Sequence, residues 1–357
     1  MLKIIRLLLL PFSWLYGLVV VLRNLFYDKG LFKSRGFDLP VIVVGNLEVG
    51  GSGKTPVIEY LIRLLKDRCR VAVLSRGYGR KTAGFIRTDS KEKSKVSAAS
   101  IGDEPFQYLS KFSNITVAVD ADRVAAIRRL EADHDAILLD DAFQHRRLIP
   151  GFSILVLDYN TLFRTRLLLP AGNYREPFSG RRRAGLLLVS KAPHDLSPAE
   201  RQRIIKRLAP ASGQPVCFSS LEYDELRSLD PANVPTDLSG ETRVLLLTGI
   251  ARPEPLVSQL KKVTPHVTHL KYPDHHSYTV KNIAKIAEVF EGIDSRDKII
   301  LTTEKDAARL RGEELKGMLV QLPVFYWPVR IKIHEPDREL FNGKILEYVK
   351  LGEARLN

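Results

Sequence analysis

Residues 41–56 read Val41-Ile-Val-Val-Gly45-Asn-Leu-Glu48-Val-Gly50-Gly51-Ser52-Gly53-Lys54-Thr55-Pro56: an apolar run, a glycine-rich turn, then Lys-Thr opening an amphipathic segment. That order predicts strand, phosphate-binding loop, helix. Gly50, Gly51 and Gly53, with Ser52 among them, let backbone N–H groups turn inward on a polyphosphate. Lys54 is then placed to bridge the outer phosphates and Thr55 to hold Mg²⁺. One position departs from the strict loop pattern: the glycine expected five residues before Gly53 is Glu48. The entry geometry of the turn is therefore open.

Outward from the loop, Pro56 suits the first turn of a helix, and Val57, Ile58, Leu61, Ile62, Leu64 and Leu65 form its apolar face. Residues 71–75 predict a second strand, ending in Arg76-Gly-Tyr-Gly-Arg80, two guanidiniums on a loop that suits phosphates. Residues 81–97 are polar and aperiodic, an expected exposed excursion. Gly102-Asp103-Glu104-Pro105 opens a helix to about Lys111, setting two carboxylates at a helix N-terminus, where acids commonly cap the dipole. A strand over 115–119 and a helix over 123–132 follow. Ala136-Ile-Leu-Leu-Asp140-Asp141 is a buried-strand pattern closed by paired acids, the form of a Walker B element that reaches nucleotide-bound Mg²⁺. Gln144 and His145 come next on the same edge, His145 reading as a structural hydrogen bonder. Strands over 152–159 and 186–190 and a helix over 198–208 complete the alternation.

The expected fold is therefore α/β: a P-loop NTPase-like parallel sheet with helices on both faces, plus a smaller C-terminal α/β lobe. The expected division is a lead-in at 1–35, a core at 36–219, a linker at 220–241 and the second lobe at 242–357. The second lobe repeats the strand-turn-helix theme at Val244–Pro253 and Lys298–Asp306 without a phosphate loop. Between them lies Tyr272-Pro-Asp274-His275-His276-Ser-Tyr278, with no further ligands at metal spacing.

The chain has 357 residues, 45% of them hydrophobic, enough for two lobes with real cores. Two cysteines, Cys69 and Cys217, suggest no disulfide framework. A formal charge of +14 suits an anionic membrane face or a phosphorylated substrate. Nucleic acid is not expected, since no RNA-binding or zinc-finger pattern is present. Lys3 and Arg6 precede an uncharged stretch of 16 residues, Leu7 to Leu22, closed by Arg23. A spanning helix needs roughly 20 apolar residues. With Pro11 and Gly17 inside it, the stretch predicts a helix lying in the interface, Trp14 and Tyr16 at headgroup level.

Eight segments in series resemble the tetraacyldisaccharide 4'-kinases of lipid A biosynthesis. They are residues 50–56, 75–80 (Ser-Arg-Gly-Tyr-Gly-Arg), 102–105, 140–146 (Asp-Asp-Ala-Phe-Gln-His-Arg), 170–177 (Pro-Ala-Gly-Asn-Tyr-Arg-Glu-Pro), 249–254, 274–276 and 303–310 (Thr-Glu-Lys-Asp-Ala-Ala-Arg-Leu). The resemblance covers nearly the whole chain. It implies transfer of the γ-phosphoryl group of ATP, with Mg²⁺, to the 4'-hydroxyl of a lipid-embedded disaccharide 1-phosphate at the cytoplasmic face of the inner membrane. By the same resemblance, Lys54 is the phosphate lysine, while Thr55, Asp140, Asp141 and Glu104 belong to the metal side. Asp103 matches the acid that activates the sugar hydroxyl, and His275 the histidine that supports it. Arg76, Arg80, Gln144, Arg175 and Glu176 fall in motifs lining the cleft. No obligate protein partner is implied. The other reading of the residues is a membrane-associated P-loop ATPase or GTPase switch. Against a GTPase, the nearest match to an Asn-Lys-x-Asp element, Ser190-Lys191-Ala192-Pro193, departs at two places; against a partitioning ATPase, Val49 stands where a second lysine is usual.

Overall fold

All five residues of β1 (Val41–Gly45) are buried, as a strand covered on both faces requires. Alternation along it divides the core. Ile42 and Val44 face one apolar layer, Val41 and Val43 the other. The computed structural model describes residue 6 and residues 8–230, 238–320 and 322–356. Lys3, one of the expected bracketing cations, and residues 231–237 of the expected linker lie outside the described residues.

After helix α1 (Leu10–Asp28), the chain runs β1, α2 (Lys54–Leu65), β2 (Val71–Ser75), β3 (Ile86–Asp89), α3 (Ala98–Ile101), α4 (Asp103–Lys111), β4 (Ile115–Val119), α5 (Arg123–Leu130), β5 (Ala136–Asp140) and β6 (Phe152–Asp158). β7 (Leu186–Ser190), α6 (Pro198–Leu208) and β8 (Val216–Tyr223) follow. These strands, with β14 (Val329–Ile333), form one nine-stranded sheet in the order β14-β8-β7-β6-β1-β5-β2-β4-β3. Only the edge strands β3 and β14 run antiparallel to their neighbours. α2, α4 and α11 (Glu335–Leu356) cover one face through Ile58, Leu61, Tyr108, Leu109, Phe341 and Ile345. α5 and α6 cover the other through Ile127, Leu130, Ile204 and Leu208. This is the expected P-loop kinase architecture.

A second sheet has the order β11-β10-β12-β13-β9, from β9 (Arg227–Ser228), β10 (Arg243–Thr248), β11 (Val267–Lys271), β12 (Lys298–Thr303) and β13 (Val324–Trp327). α7 (Glu254–Leu260) packs on one face, α8 (Val280–Glu291) and α10 (Glu313–Leu319) on the other. α9 (Glu304–Leu310) faces the first lobe.

Two expectations need correction. The stretch 81–97 is not wholly an excursion: β3 pairs with β4, with Thr88 buried, and the Asp89 carboxylate caps the turn that follows. Only Ile86 and Thr88 turn inward, too few to give a periodicity to read. The second lobe also does not keep all of 242–357. Val329–Ile333 crosses back to pair with β8, whose own residues reach into the expected linker, and α11 seals the first core, Tyr60 Oη donating to Asn342 at 2.8 Å. An antiparallel edge strand needs no crossover helix, so nothing in the spacing announced it.

Where α9 meets α2 and α4, Lys111 Nζ lies 2.7 Å from Glu59 and 2.8 Å from Glu304, and Gln107 donates to both acids. Glu59 is fully buried. Removing one partner of a buried ion pair typically costs about 3–5 kcal/mol, because the other charge is left uncompensated. Arg63 still reaches Glu59 at 3.3 Å, so Lys111→Met should fall toward the lower end of that range. Urea unfolding of the two proteins measures it; equal midpoints would show that the cluster does not tie the lobes.

Candidate active site

Parallel pairing sets Val44 beside Asp140 and Gly45 beside Leu155, so the carboxyl ends of β1, β5 and β6 open on one edge at the point where strand order reverses. The loop after β1 is glycine-rich for a geometric reason. Gly50 (φ +112°) and Gly53 (φ +93°) hold conformations that side-chain-bearing residues rarely adopt. Side chains fix the rest: Asn46 Nδ2 donates to Ser52 Oγ at 2.9 Å, Ser190 Oγ to the Ser52 carbonyl at 2.6 Å, and Lys191 Nζ to the Gly51 carbonyl at 2.5 Å. Glu48 answers the question it raised. Its carboxylate turns to Thr161, accepting from Oγ1 at 3.1 Å, while the Val49 N–H donates to the Asn173 carbonyl at 2.7 Å. The entry of the loop is thus held by protein contacts in place of a glycine.

Lys54 and Thr55 begin α2, and Lys54 Nζ stands 3.5 Å from Asp141. Asp141, at φ +50°, also accepts from Arg175 Nη1 at 2.9 and 3.0 Å. Burial works to raise its pKa, but the charges of Lys54 and Arg175 hold it below the usual carboxylate range. Asp140 differs. Burial and the Glu104 charge push it up to about 6 against the pull of Lys54. Tyr108 Oη donates to its Oδ2 at 2.9 Å, whereas Oδ1 is buried with no protein partner. A buried, unpartnered carboxylate oxygen beside a phosphate loop is what a cation bound jointly by protein and phosphates requires. Among the described residues no group of three or more His, Cys, Asp or Glu is placed to hold a metal ion.

Asp103 and Glu104 stand at the N-terminus of α4 and meet the second lobe. Asp103 Oδ2 accepts from His275 Nδ1 at 2.8 Å and from Arg309 Nη2 at 2.6 Å and Nε at 3.0 Å. Burial alone would raise this carboxyl; the hydrogen bonds from His275 and Arg309, with their charges, bring it down to about 2. His275 rises in turn, through the same bond to Asp103. Glu104 is ion-paired with Lys305. The two residues far apart in sequence, Asp103 and His275, are thus in direct contact.

The cleft candidates divide. Gln144 Nε2 donates to the Asn46 carbonyl at 2.7 Å and to Glu176 Oε1 at 2.9 Å. Glu176, 2% exposed, also pairs with Arg183 at 2.8 Å. Gln144, Arg175 and Glu176 therefore form one network with the loop and Asp141. α1 braces it: Tyr16 Oη donates to the Arg175 carbonyl and Arg23 Nη2 to the Gln144 carbonyl, both at 2.7 Å. Arg76 is exposed on a loop that abuts Gly102, while Arg80 donates from Nη2 to the Gly84 carbonyl at 2.6 Å and leaves its buried Nη1 without a partner.

Several side chains of the site went unread in the sequence. Lys305 and Arg309 were legible, four apart on one helical face within a quoted segment. Arg123 was not: buried, its Nε without a partner, it lies within reach of the charges of Arg76, Asp140 and Asp141. His145 is no satisfied hydrogen bonder either, since its buried Nε2 has no partner.

Phosphate loop, paired acids at the neighbouring strand and a second lobe closing on the same edge define a P-loop phosphotransferase. The family model of tetraacyldisaccharide-1-P 4'-kinases matches residues 5–349. A tetraacyldisaccharide 4'-kinase of Bacteroides thetaiotaomicron is 42% identical over 96% of this chain and 93% of its own length. That of Parabacteroides distasonis is 47% identical over 85% and 84%. Among solved structures, LpxK of Aquifex aeolicus, crystallised in complex with ATP, superposes with a TM-score of 0.74 at 33% identity, covering 97% of this chain and 99% of that one. The chain belongs to the tetraacyldisaccharide-1-P 4'-kinase family. Membership favours the kinase reading over an ATPase or GTPase switch.

Burial, and then the Arg123 charge, depress the His145 pKa to about 4. Between that value and the ordinary range near 6.5 the unfolded chain binds the proton that the folded one refuses, so acidification through this window withdraws stability. NMR titration of the imidazole should give a midpoint near 4 in the ligand-free protein; an ordinary midpoint would show that the ring is solvated.

Proposed function

We propose that this chain is an ATP-dependent kinase that transfers the γ-phosphoryl group to the 4'-hydroxyl of a tetraacylated glucosamine disaccharide 1-phosphate, giving lipid IVA. The observation that carries this reading is the Asp103–His275 contact across the lobes, beside a phosphate loop whose lysine faces paired acids. In this reading the N–H groups of Gly50, Gly51, Ser52 and Gly53 cradle the phosphates and Lys54 reaches the outer ones. Thr55, Asp140, Asp141 and Glu104 are the residues to hold Mg²⁺, which would supply charge neutralisation at the transferring group. Asp103 takes the proton of the sugar hydroxyl. Held near 2, it is ionised but a weak base, so His275 has the task of orienting it and sharing the charge that develops. Arg76, Arg80, Gln144, Arg175 and Glu176 border the acceptor side, and Arg123 joins them, its Nη1 bonded to the Ala121 carbonyl and its Nε without a partner.

In this reading the nucleoside half of ATP lies beyond Lys191, in a cavity of about 690 Å³ lined by Asn160, Tyr223, Gln259 and Trp327 among others, between the two sheets. Its aromatic walls suit a purine.

The acceptor is a lipid, and α1 is the element fitted to meet its membrane. It is the one described helix long and apolar enough to cross a bilayer. Ser13, Gly17 and Val20 are buried against the protein, while Phe12, Trp14, Leu15 and Leu18 are more than half exposed. A helix fixed to the core along one side and apolar on the other suits an anionic membrane surface in the interfacial orientation, here the cytoplasmic face of the inner membrane.

ADP release from ATP with Mg²⁺, with and without a lipid A disaccharide precursor, tests the activity; turnover independent of the acceptor would reject it. In the same assay Asp103→Ala and His275→Ala should each lower kcat, by about 10² to 10⁴ for loss of the base. The double variant should lose less than the product of the two, because groups acting as one unit are not additive. Multiplicative losses would show separate roles. For the membrane, Trp14→Glu with Leu18→Glu should move the protein to the soluble fraction and spare turnover of detergent-dispersed acceptor, since neither side chain braces the site. Unchanged fractionation would remove α1 from the membrane contact.

A further inference from the structure

The second lobe reaches the phosphate loop at one more point, on the opposite side from Asp103. Arg252, in the turn between β10 and α7, donates from Nη1 to Asp158 Oδ2 at 3.2 Å. The same carboxylate oxygen accepts from Lys191 Nζ at 2.7 Å, the ammonium that also holds the Gly51 carbonyl. Asp158 is buried and ends β6, one strand from the loop. Two cations therefore share one acid, and the cluster keeps a net positive charge at the mouth of the loop. Of the two, Lys191 makes two hydrogen bonds and its side chain is 13% exposed; Arg252 has one N–H bonded and a side chain 29% exposed. Its guanidinium also stands against the rim of the loop. A Cβ added to Gly50 would lie 3.7 Å from Arg252 Nη2, with no other group nearer than the guanidinium.

Gly50 occupies the third position of the eight-residue loop pattern, ahead of the residues whose N–H groups cradle the inner phosphates, so a cation over it faces the outer end of a bound triphosphate. We propose that Arg252 binds the outer phosphates of the nucleotide from the second lobe, placing a fixed positive charge beside the transferring group. This rests on the reading of the loop as an ATP site. Arg252 would neither give nor take a proton, since a guanidinium stays charged; it contributes charge and a planar pair of donors that match two phosphate oxygens. Asp158 then serves as its rest position. In nucleotide-dependent enzymes an arginine supplied in this way can be worth about 10³-fold or more in kcat.

Contact with the terminal phosphate predicts a loss that depends on that phosphate. Binding of ATP and of ADP, each with Mg²⁺ and without acceptor, should be measured by displacement of a fluorescent nucleotide from the full-length protein. Arg252→Ala should weaken ATP about ten-fold to a hundred-fold, the worth of a charged hydrogen bond, and leave ADP nearly as in the wild type. Arg252→Lys, which keeps the charge but not the fork, should fall between. In turnover, kcat should drop more than the ATP KM rises. Equal losses for ATP and ADP would assign Arg252 to holding the lobes together and overturn the proposal, as would no loss for either. Wild-type protein that binds neither nucleotide would instead reject the reading of the loop. Arg252→Gln, closer in size, repeats the comparison if the alanine variant is found unfolded by its thermal melt.

Discussion

Four carboxylates, Asp103, Glu104, Asp140 and Asp141, converge on one sheet edge, and their mutual repulsion is the constraint on which the architecture depends. Unit charges about 4 Å apart in a partly buried setting interact with about 4 kcal/mol. Left alone, such acids would take up protons and be useless to a cation or as a base. Cations settle the matter, drawn from both lobes: Lys54 and Arg175 against Asp141, Lys305 against Glu104, Arg309 and His275 against Asp103. Only Asp140 lacks one of its own, and only Asp140 is pushed up, to about 6. The second sheet is therefore part of the site's electrostatics. Without α9, Glu104 would lose Lys305 and Asp103 would keep only His275.

The same dependence explains why the first and last helices are tied to the core. α1 gives its buried side to Leu168, Gln144 and Arg175, so the helix that suits a membrane also fixes the network beside Asp141. Its two faces have separate tasks. At the other end, β14 and α11 return to the first sheet and cover α2, the helix whose N-terminus presents Lys54. The chain leaves the first lobe at β8 and re-enters beside it, giving the second lobe two adjacent anchor points.

The parts of this molecule that were legible in sequence are those in which one local pattern has one physical solution. An apolar run before Gly50-Gly-Ser-Gly-Lys-Thr folds as strand, loop and helix wherever it occurs, and the resemblance of eight ordered segments carried Asp103 and His275 to the same site. Pairings set by distant partners were not legible. β14 has no feature that distinguishes an edge strand of the first sheet from a strand of the second. Glu48 looked like a fault in the loop because its partner, Thr161, lies 113 residues away. Arg123 carries no sequence mark, since a buried arginine at a helix start reads as an exposed one. His145 failed for the converse reason: a polar residue amid polar neighbours was expected to find a partner, and its Nε2 finds none among protein atoms.

Backbone strain falls on the same residues as the charge compensation. Among the described residues five without glycine's freedom adopt positive φ, and three of them, Asp141 (+50°), Lys191 (+59°) and His275 (+57°), belong to the site. Each such conformation costs about 1–2 kcal/mol. It persists where surrounding contacts over-determine it, and those contacts are present: Lys54 and Arg175 for Asp141, the Gly51 carbonyl and Asp158 for Lys191, the Gly249 carbonyl and Asp103 for His275. The three lie after β5, after β7 and after β11, at strand ends that deliver a side chain to the cleft. A regular strand end would point these groups above or below the sheet. Turning the backbone through the left-handed region aims them sideways instead, toward the phosphate loop and toward Asp103. The cost is borne at positions where direction matters more than stability, which is independent physical support for placing phosphate, metal and base chemistry on this edge.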